Sequence, residues 1–156
     1  MTAIWRFILA PAIAMHAIGA TSLWVRTAAA DPCGRERPWA GCKPGEFCIY
    51  DCANGTGKHL ARTEAVENLN DRHVQNAELN DKVSAVWNRD KRAWCLYEHA
   101  NTRPDLGDKQ HRLLIPPHSK HVVARYRLPD GFSWNDKTSR IEPAHVEGGR
   151  PSCAKS

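Results

Sequence analysis

The sequence predicts an all-β protein whose strands follow Greek-key connections and whose fold is held by disulfides. An aromatic-Cys-aliphatic-Tyr stretch followed by Asn-Asp-Lys-x-Ser occurs twice in the same order, at 47–50 with 80–84 and at 94–97 with 135–139. The repeat has a period of about 50 residues, which is typical of duplicated structural units. Short β-branched and aromatic runs between turn residues, with little helical periodicity, favour the all-β class.

Residues 1–30 are predicted to be a secretory signal peptide. Arg6 precedes an almost uninterrupted apolar run at 7–19, and the segment ends in Ala-Ala-Ala at 28–30. A basic start, an apolar centre and a small-residue end are typical of a cleaved export signal. The alternative is an uncleaved membrane anchor over 7–25. We expect a secreted, extracellular protein that makes no membrane contact after cleavage.

The charge balance argues against nucleic-acid binding. Lys and Arg number 22 against 17 Asp and Glu, and removal of Arg6 and Arg26 with the signal lowers the excess from five to three. These cations are spread among acidic residues, whereas a nucleic-acid reader concentrates them on one face.

Six cysteines in a small exported chain predict three disulfides. A zinc site is the alternative, but the chain has no Cys-x-x-Cys pair. Six cysteines allow fifteen connectivities, which stay open at this point. Because Cys48 and Cys52 are too far apart along a strand to bond, each is expected to pair elsewhere. The cysteines are Cys33, Cys42, Cys48, Cys52, Cys95 and Cys153.

The first half of the exported chain reads as a proline-rich arm followed by strands. The arm covers 31–44, and a strand is predicted from Glu46 to Asp51 before a tight turn at Asn54-Gly55-Thr56-Gly57. The same turn contains a glycosylation sequon. Residues 61–78 are polar with sparse apolar positions, so a short helix is an open alternative. Two further strands, 83–88 and 93–98, are predicted around a connection of hairpin length at 89–92.

The second half is less regular. Two strand candidates, 113–115 and 122–128, flank an exposed Pro-Pro loop that carries His118 and His121. A tail at 143–156 ends near Cys153, which a disulfide would tie back. The predicted domain therefore covers 45–142, in two repeat units at 45–88 and 93–142.

The two Asn-Asp-Lys-x-Ser loops are candidate calcium sites. Amide, carboxylate and hydroxyl oxygens are hard ligands that Ca²⁺ accepts with flexible geometry. The alternative is that Asn and Asp cap the turn and Ser bonds locally, without a metal. No cofactor is expected to be required, and Ca²⁺ is the one metal that these loops suggest. The candidate ligands are Asn80, Asp81 and Ser84 in the first loop and Asn135, Asp136 and Ser139 in the second.

These motifs resemble a known family. The stretch 47–50, the glycine turn at 54–57 and Asn-Asp-Lys-x-Ser before a strand are similar to the βγ-crystallin Greek-key motif. More narrowly, 45–50, 80–88 and 95–98 resemble the secreted bacterial peptidase inhibitors of family I36. The resemblance covers roughly 42–142 and implies a βγ-crystallin-like, disulfide-stapled β-sandwich of two Greek keys.

The sequence departs from the calcium signature of crystallins in both units. That signature has a second Ser after the Ser or Thr, where this chain has Ala85 and Arg140. The positive charge of Arg140 beside the second loop disfavours a cation there. The second unit also lacks the expected turn glycine after Tyr97.

The resemblance implies a secreted inhibitor of an extracellular peptidase, with metalloproteinases favoured because family members are named for inhibiting them. A disulfide-bonded domain can hold an exposed loop in a peptidase cleft with little ordering cost. The candidate loops are 89–92, 103–107 and 115–121, and no sequence feature chooses among them. The expected partner is the peptidase, and the protein is expected to be a monomer.

Two other functions stay open, and catalysis is not indicated. A calcium-binding crystallin-like module without inhibitory activity is one alternative, and a small secreted toxin or antimicrobial domain using the cationic stretch 109–127 is the other. The His118-x-x-His121 spacing could offer two zinc ligands, although a solvated loop is the simpler interpretation. The sequence has no Gly-x-Ser-x-Gly elbow and no His-Glu-x-x-His motif, so we expect a non-enzyme.

Overall fold

The computed structural model describes residues 33–34, 37–74, 77–100 and 110–153. The predicted signal peptide at 1–30 and the candidate loop at 103–107 lie outside these residues. Within the described ranges no helix has the length and apolar character needed to cross a membrane. The strands are β1 (Phe47–Tyr50), β2 (His59–Arg62), β3 (Ala85–Asn88), β4 (Trp94–Tyr97), β5 (Arg112–Ile115), β6 (Ser119–His121), β7 (Arg140–Pro143), β8 (His145–Glu147) and β9 (Arg150–Ser152), with short 3-10 turns at Ala77–Leu79 and Val123–Arg125.

The strands form two antiparallel sheets and a hairpin. The first sheet has the order β2-β1-β3-β6, the second has β5-β4-β7, and β8 pairs with β9. Each repeat unit gives one segment to the other unit's sheet, because β6 pairs with β3 and Val66 pairs with Ile141 of β7. This exchange is a Greek-key arrangement in both units and confirms the predicted all-β class.

The core lies between the inner faces of the two sheets. Phe47 of β1 and Trp94 of β4, the aromatic residues that open the two repeated strands, stack with ring centroids 4.7 Å apart. Burying an aliphatic or aromatic side chain contributes about 1.5–3 kcal/mol of hydrophobic free energy. Around this pair, the fully buried apolar side chains include Ile49, Leu60, Leu69, Leu79, Val86, Leu96, Ile115, Trp134 and Ile141.

Each sheet also has an outer face that one end of the chain covers. On the first sheet, Cys42 of the arm bonds to Cys48, and the Tyr50 hydroxyl donates to the carbonyl of Ala40 at 3.3 Å. Burial raises the pKa of Tyr50 to about 12. The arm predicted from its prolines and cysteines is thus the cover of this face.

The second sheet repeats this arrangement with the other end of the chain. Cys95 bonds to Cys153, and the Tyr97 hydroxyl donates to Glu142 Oε1 at 2.5 Å. Burial, and then the hydrogen bond to Glu142, raise the pKa of Tyr97. The Arg140 side chain, 1% exposed, forms a salt bridge with Glu142 on this face. The carboxylate of Glu142 therefore offsets the buried positive charge of Arg140.

The cysteine prediction is confirmed, and the structure supplies the connectivity. The third bond joins Cys33 to Cys52, so Cys48 and Cys52 each pair elsewhere, as expected. Among the described cysteines none is free. Three disulfides fit an oxidising, extracellular location.

Two details of the predicted elements were wrong. Strands β3 and β4 do not form a hairpin around 89–92, because they belong to different sheets and the connection crosses between them. Residues 122–128 are not a strand, since β6 begins earlier and a 3-10 turn occupies Val123–Arg125. The described part of 61–78 contains no α-helix. Val66 pairs with Ile141 of β7, and the 3-10 turn at Ala77–Leu79 begins at the end of the stretch.

Candidate functional site

Asn88, the last residue of β3, joins two of the predicted candidate loops. Its side chain is fully buried, and its amide Nδ2 donates to the carbonyls of Arg92 at 2.8 Å and Pro116 at 2.9 Å. Its Oδ1 accepts the backbone N–H of Asp90 at 2.9 Å. The Asn88 amide therefore links loops 89–92 and 115–121. Both N–H groups and the oxygen of this buried amide have hydrogen-bond partners.

The loop 89–92 is held by a buried carboxylate. Asp90 is 4% exposed, and its Oδ2 accepts hydrogen bonds from Arg92 Nε at 2.8 Å and from Trp94 Nε1 at 3.0 Å. Burial acts to raise the pKa of Asp90, but the hydrogen bonds from Arg92 and Trp94 outweigh it and lower that pKa. Lys91 stays exposed at the tip. The loop thus has an ordered base and an exposed lysine at its tip.

The loop 115–121 is exposed at its tip and braced at its base. Pro116, Pro117 and His118 are exposed, and His118 adopts a positive φ of 51°. Ser119 Oγ donates to the Pro116 carbonyl at 2.6 Å, which closes the turn. Two consecutive prolines restrict the unfolded chain, so the loop loses little entropy when it is ordered.

His121 does not present a free ring nitrogen beside His118. Its Nδ1 is hydrogen bonded with the Tyr126 hydroxyl, and its Nε2 lies 3.0 Å from Ser119 Oγ. Burial lowers the pKa of His121. Both ring nitrogens of His121 are therefore already hydrogen bonded within the protein, which argues against their use as zinc ligands.

A hollow of about 310 Å³ lies beside the two loops. It is lined by Pro44, Trp87, Asn88, Arg89 and His118. The lining therefore includes one residue from each of these two loops, next to Asn88, whose buried amide joins them. The aromatic residue in this lining is Trp87. The sequence predicted it to lie in the strand 83–88 but did not indicate that it belongs to a site.

The Asn-Asp-Lys-x-Ser loops meet each other across the two units. Asp81 and Asp136 adopt matching positive φ angles of 53° and 55°. The backbone N–H of Asp81 donates to the Thr138 carbonyl at 3.0 Å, and Ser139 Oγ donates to Asp81 Oδ1 at 2.9 Å. The structure thus brings Asp81 together with Ser139 of the other loop. Ser84, the predicted partner of Asp81 within its own loop, is buried, with 8% of its surface exposed.

The amides of these loops are engaged by the neighbouring carboxylates. Asn80 Nδ2 donates to Asp81 Oδ2 at 2.7 Å, and Asn135 Nδ2 donates to Asp136 Oδ2 at 2.6 Å. Both aspartates line one hollow of about 270 Å³, together with Glu98, His99, Lys137 and Ser139. The carboxylate and hydroxyl oxygens of this hollow suit Ca²⁺, whereas the Lys137 ammonium on its wall repels a cation.

Within the described ranges, one group of three residues has ligand atoms close enough together to hold a metal ion. It consists of Cys42, Glu46 and Cys48. Its two cysteines are bonded to each other, so their sulfurs are not thiolate ligands.

Sequence reasoning missed the residue that joins the loops. Asn88 is the last residue of the predicted strand 83–88, and its position in the sequence is that of any amide at the end of a strand. The available signal was an amide at a strand end directly before a charged turn, where Asn commonly caps the backbone two residues on. Its second set of contacts, to Arg92 and Pro116, depends on tertiary structure.

Comparisons with known proteins give one family match and three similar solved structures. Residues 35–105 match the model of peptidase inhibitor family I36. The match supports a role in peptidase inhibition in general terms, with a peptidase as partner. A search of curated proteins finds no match.

Three solved structures are similar to the chain. One, described as "Evolution of the eye lens beta-gamma-crystallin domain fold", is 19% identical, with 69% of this chain and 94% of that chain covered and a TM-score of 0.49. A βγ-crystallin from an archaeon is 20% identical, covering 65% and 99%, with a TM-score of 0.46. A βγ-crystallin from Ciona intestinalis is 17% identical, covering 64% and 99%, with a TM-score of 0.43.

Proposed function

We propose that this chain, whose residues 35–105 match peptidase inhibitor family I36, is a secreted inhibitor that inserts an exposed loop into the cleft of an extracellular metalloproteinase. The observation that carries the mechanism is the Asn88 side chain, which fastens two exposed loops to one buried amide. A loop that is ordered before binding loses little conformational entropy when it enters a cleft. We assign insertion to 115–121, with 89–92 as its brace.

The loop 115–121 suits insertion because its tip is exposed while its ends belong to strands of different sheets. Ile115 ends β5 in one sheet, and Ser119 begins β6 in the other. The loop therefore bridges the two sheets, and each of its ends is fixed by a strand. Pro116, Pro117 and His118 form the exposed tip between these anchors.

The first test is an inhibition titration. The oxidised protein, purified from a host that exports it, is titrated against a thermolysin-like metalloprotease and a subtilisin-like serine protease while residual activity is followed. We expect stoichiometric loss of the metalloprotease activity. If both enzymes keep full activity while the protein stays intact, the inhibitor proposal is wrong.

The inserted loop is tested with His118→Gly. Glycine accepts the positive φ at this position, so the variant removes the side chain without straining the turn. We expect inhibition to weaken by about tenfold or more, as for a contact buried at an interface centre. His145→Ala, which removes an exposed imidazole from β8, is the matched control. If His118→Gly inhibits the peptidase as strongly as the His145→Ala control, the assignment of the inserted loop to 115–121 is wrong.

Calcium binding is a second candidate function, favoured by the contact between Ser139 Oγ and Asp81 Oδ1 at 2.9 Å. We propose Asp81, Asp136 and Ser139 as ligands, because they place hard oxygens from both loops in one hollow. Saturating Ca²⁺ at about 100 times Kd should add about 2.7 kcal/mol to the stability. The rise in Tm should disappear in Asp81→Asn. A Tm that does not respond to Ca²⁺ in the unmodified protein would end this proposal.

A further inference from the structure

Trp87 carries two cations on its indole ring. The Lys120 Nζ lies 4.1 Å from the ring centroid, and the Arg89 guanidinium carbon lies 4.6 Å from it. Lys120 faces Trp87 directly across the β3–β6 pairing, and its ammonium is also 5.1 Å from the ring of Trp39. We call Trp87, Arg89 and Lys120 the Trp87 cation pair.

A backbone carbonyl and the indole ring position the two cations. Arg89 Nη1 donates to the Cys42 carbonyl at 2.7 Å, which anchors the guanidinium to the arm. Among the salt bridges between described residues, none includes Arg89 or Lys120. Glu46 directly precedes β1 and accepts the backbone N–H of Arg89 through its carbonyl at 2.8 Å, while its carboxylate Oε2 accepts the backbone N–H of Lys43 at 2.6 Å. Positive charge is therefore concentrated beside an open hollow.

We propose that the Trp87 cation pair binds an acidic side chain of the partner peptidase, an inference that rests on the proposed function. A carboxylate entering the hollow of about 310 Å³ meets Arg89 and Trp87 on its wall. Lys120 does not line the hollow, but its ammonium lies 4.1 Å from the centroid of the same Trp87 ring. Charge-assisted hydrogen bonds from Arg or Lys to a carboxylate are roughly twice as strong as neutral ones. The aromatic support holds both cations in position before the partner arrives.

The location of the pair also favours the peptidase as its partner. Asn88, which fastens the inserting loop, follows Trp87 directly in β3 and lines the same hollow. His118 at the loop tip lines it as well. A peptidase whose cleft receives the loop thus lies against the Trp87 cation pair. An acidic residue at the rim of that cleft would complement the positive charge of Arg89 and Lys120.

The small number of cations favours one or two carboxylates over a long polyanion. Two fixed cations with the exposed His118 imidazole make a compact site, whereas binding of a polyanion requires an extended row of basic residues. Trp and Arg together are also the residues enriched in the energetic centres of protein interfaces.

The acid-binding step is tested without any peptidase. A tetraglutamate peptide and a tetraglutamine peptide are added to the whole oxidised protein at low salt, and the indole N–H signal of Trp87 is followed by NMR. We expect saturable shifts with tetraglutamate alone, which disappear in Lys120→Glu and persist in Lys82→Glu, a matched charge reversal at an exposed residue outside the hollow. No shift at millimolar peptide, or equal shifts with both peptides, would overturn the proposal. A response restricted to a sulfated polysaccharide would overturn it in favour of a polyanion.

The assignment to the peptidase is tested by inhibition. Lys120→Glu should weaken inhibition of the thermolysin-like enzyme by about tenfold or more and remove much of its dependence on salt, with Lys82→Glu unchanged. Unchanged inhibition by Lys120→Glu overturns the partner assignment. If the unmodified protein inhibits neither enzyme, the proposed function fails and the partner assignment fails with it, whereas the peptide titration still decides whether the site binds acids.

Discussion

Replacing Asn88 with alanine tests whether one buried amide holds the two loops together. The substitution removes three hydrogen bonds, to the backbone of Arg92, Pro116 and Asp90 at 2.8 to 2.9 Å. A buried neutral hydrogen bond contributes about 1 kcal/mol net. We therefore expect the free energy of unfolding to fall by about 3 kcal/mol. Since a domain of this size has about 5–15 kcal/mol in total, the variant should still fold.

The measurement is urea denaturation followed by tryptophan fluorescence, with a thermal scan alongside. A loss of about 3 kcal/mol corresponds to a Tm lower by about 10 °C. Asn135→Ala is the matched control, because its exposed amide donates only to the neighbouring Asp136 among the described contacts, and it should cost about 0.5 kcal/mol or less. If Asn88→Ala costs no more than this control, the two loops are not held by the amide and the mechanism proposed for loop insertion loses its basis.

Three further substitutions test other parts of the fold. Gly57→Ala should cost clearly more than Gly45→Ala in urea denaturation: both positions have positive φ, worth about 1–2 kcal/mol, but a Cβ at Gly57 would lie 2.2 Å from a carboxylate oxygen and one at Gly45 meets nothing within 4 Å. Removing the Cys95–Cys153 disulfide, whose ends are 58 residues apart, should cost about 4 kcal/mol, and a Tm unchanged in the double alanine variant would refute this. Burial alone would lower the pKa of His111, but two carboxylate partners raise it; the resulting stability is fully present below the ordinary histidine pKa of about 6.5 and is lost as the pH rises through the folded-state pKa. His111→Gln should flatten this dependence above about pH 6.5, and an unaltered slope would contradict it.

The sequence predicts the class of fold well because the repeat constrains it at two levels. Aromatic-Cys-aliphatic-Tyr places an aromatic and an aliphatic residue on the inner face and Cys and Tyr on the outer face of one strand. That pattern correctly located β1 and β4, and the glycine turn at 54–57 correctly located the connection from β1 to β2. The duplication then predicted two Greek-key units.

The pairing between elements was less predictable. The connection at 89–92 is short enough for a hairpin, and length alone does not tell whether the next strand stays in the sheet or crosses to the other one. Val66 and β6 are too short to show a strand period, and their positions depend on pairing with the opposite unit.

The candidate site was predicted in part. The loops 89–92 and 115–121 were recognised from their charge and prolines, but their common attachment to Asn88 depends on contacts 4 and 28 residues away. The same holds for the calcium candidates. Local spacing grouped Asp81 with Ser84, whereas the structure places Asp81 beside Ser139, 58 residues further along.

The covers on the two outer faces determine what happens when the protein itself is cut. The arm is bonded at Cys42 to β1, and the tail is bonded at Cys153 to β4, in each case to the cysteine of the repeated strand. A single break between Cys42 and Cys48, or anywhere from Cys95 to Cys153, leaves both new ends covalently attached to the domain. The proposed function would expose the molecule to peptidases, and after such a nick its pieces stay joined and each sheet keeps its cover.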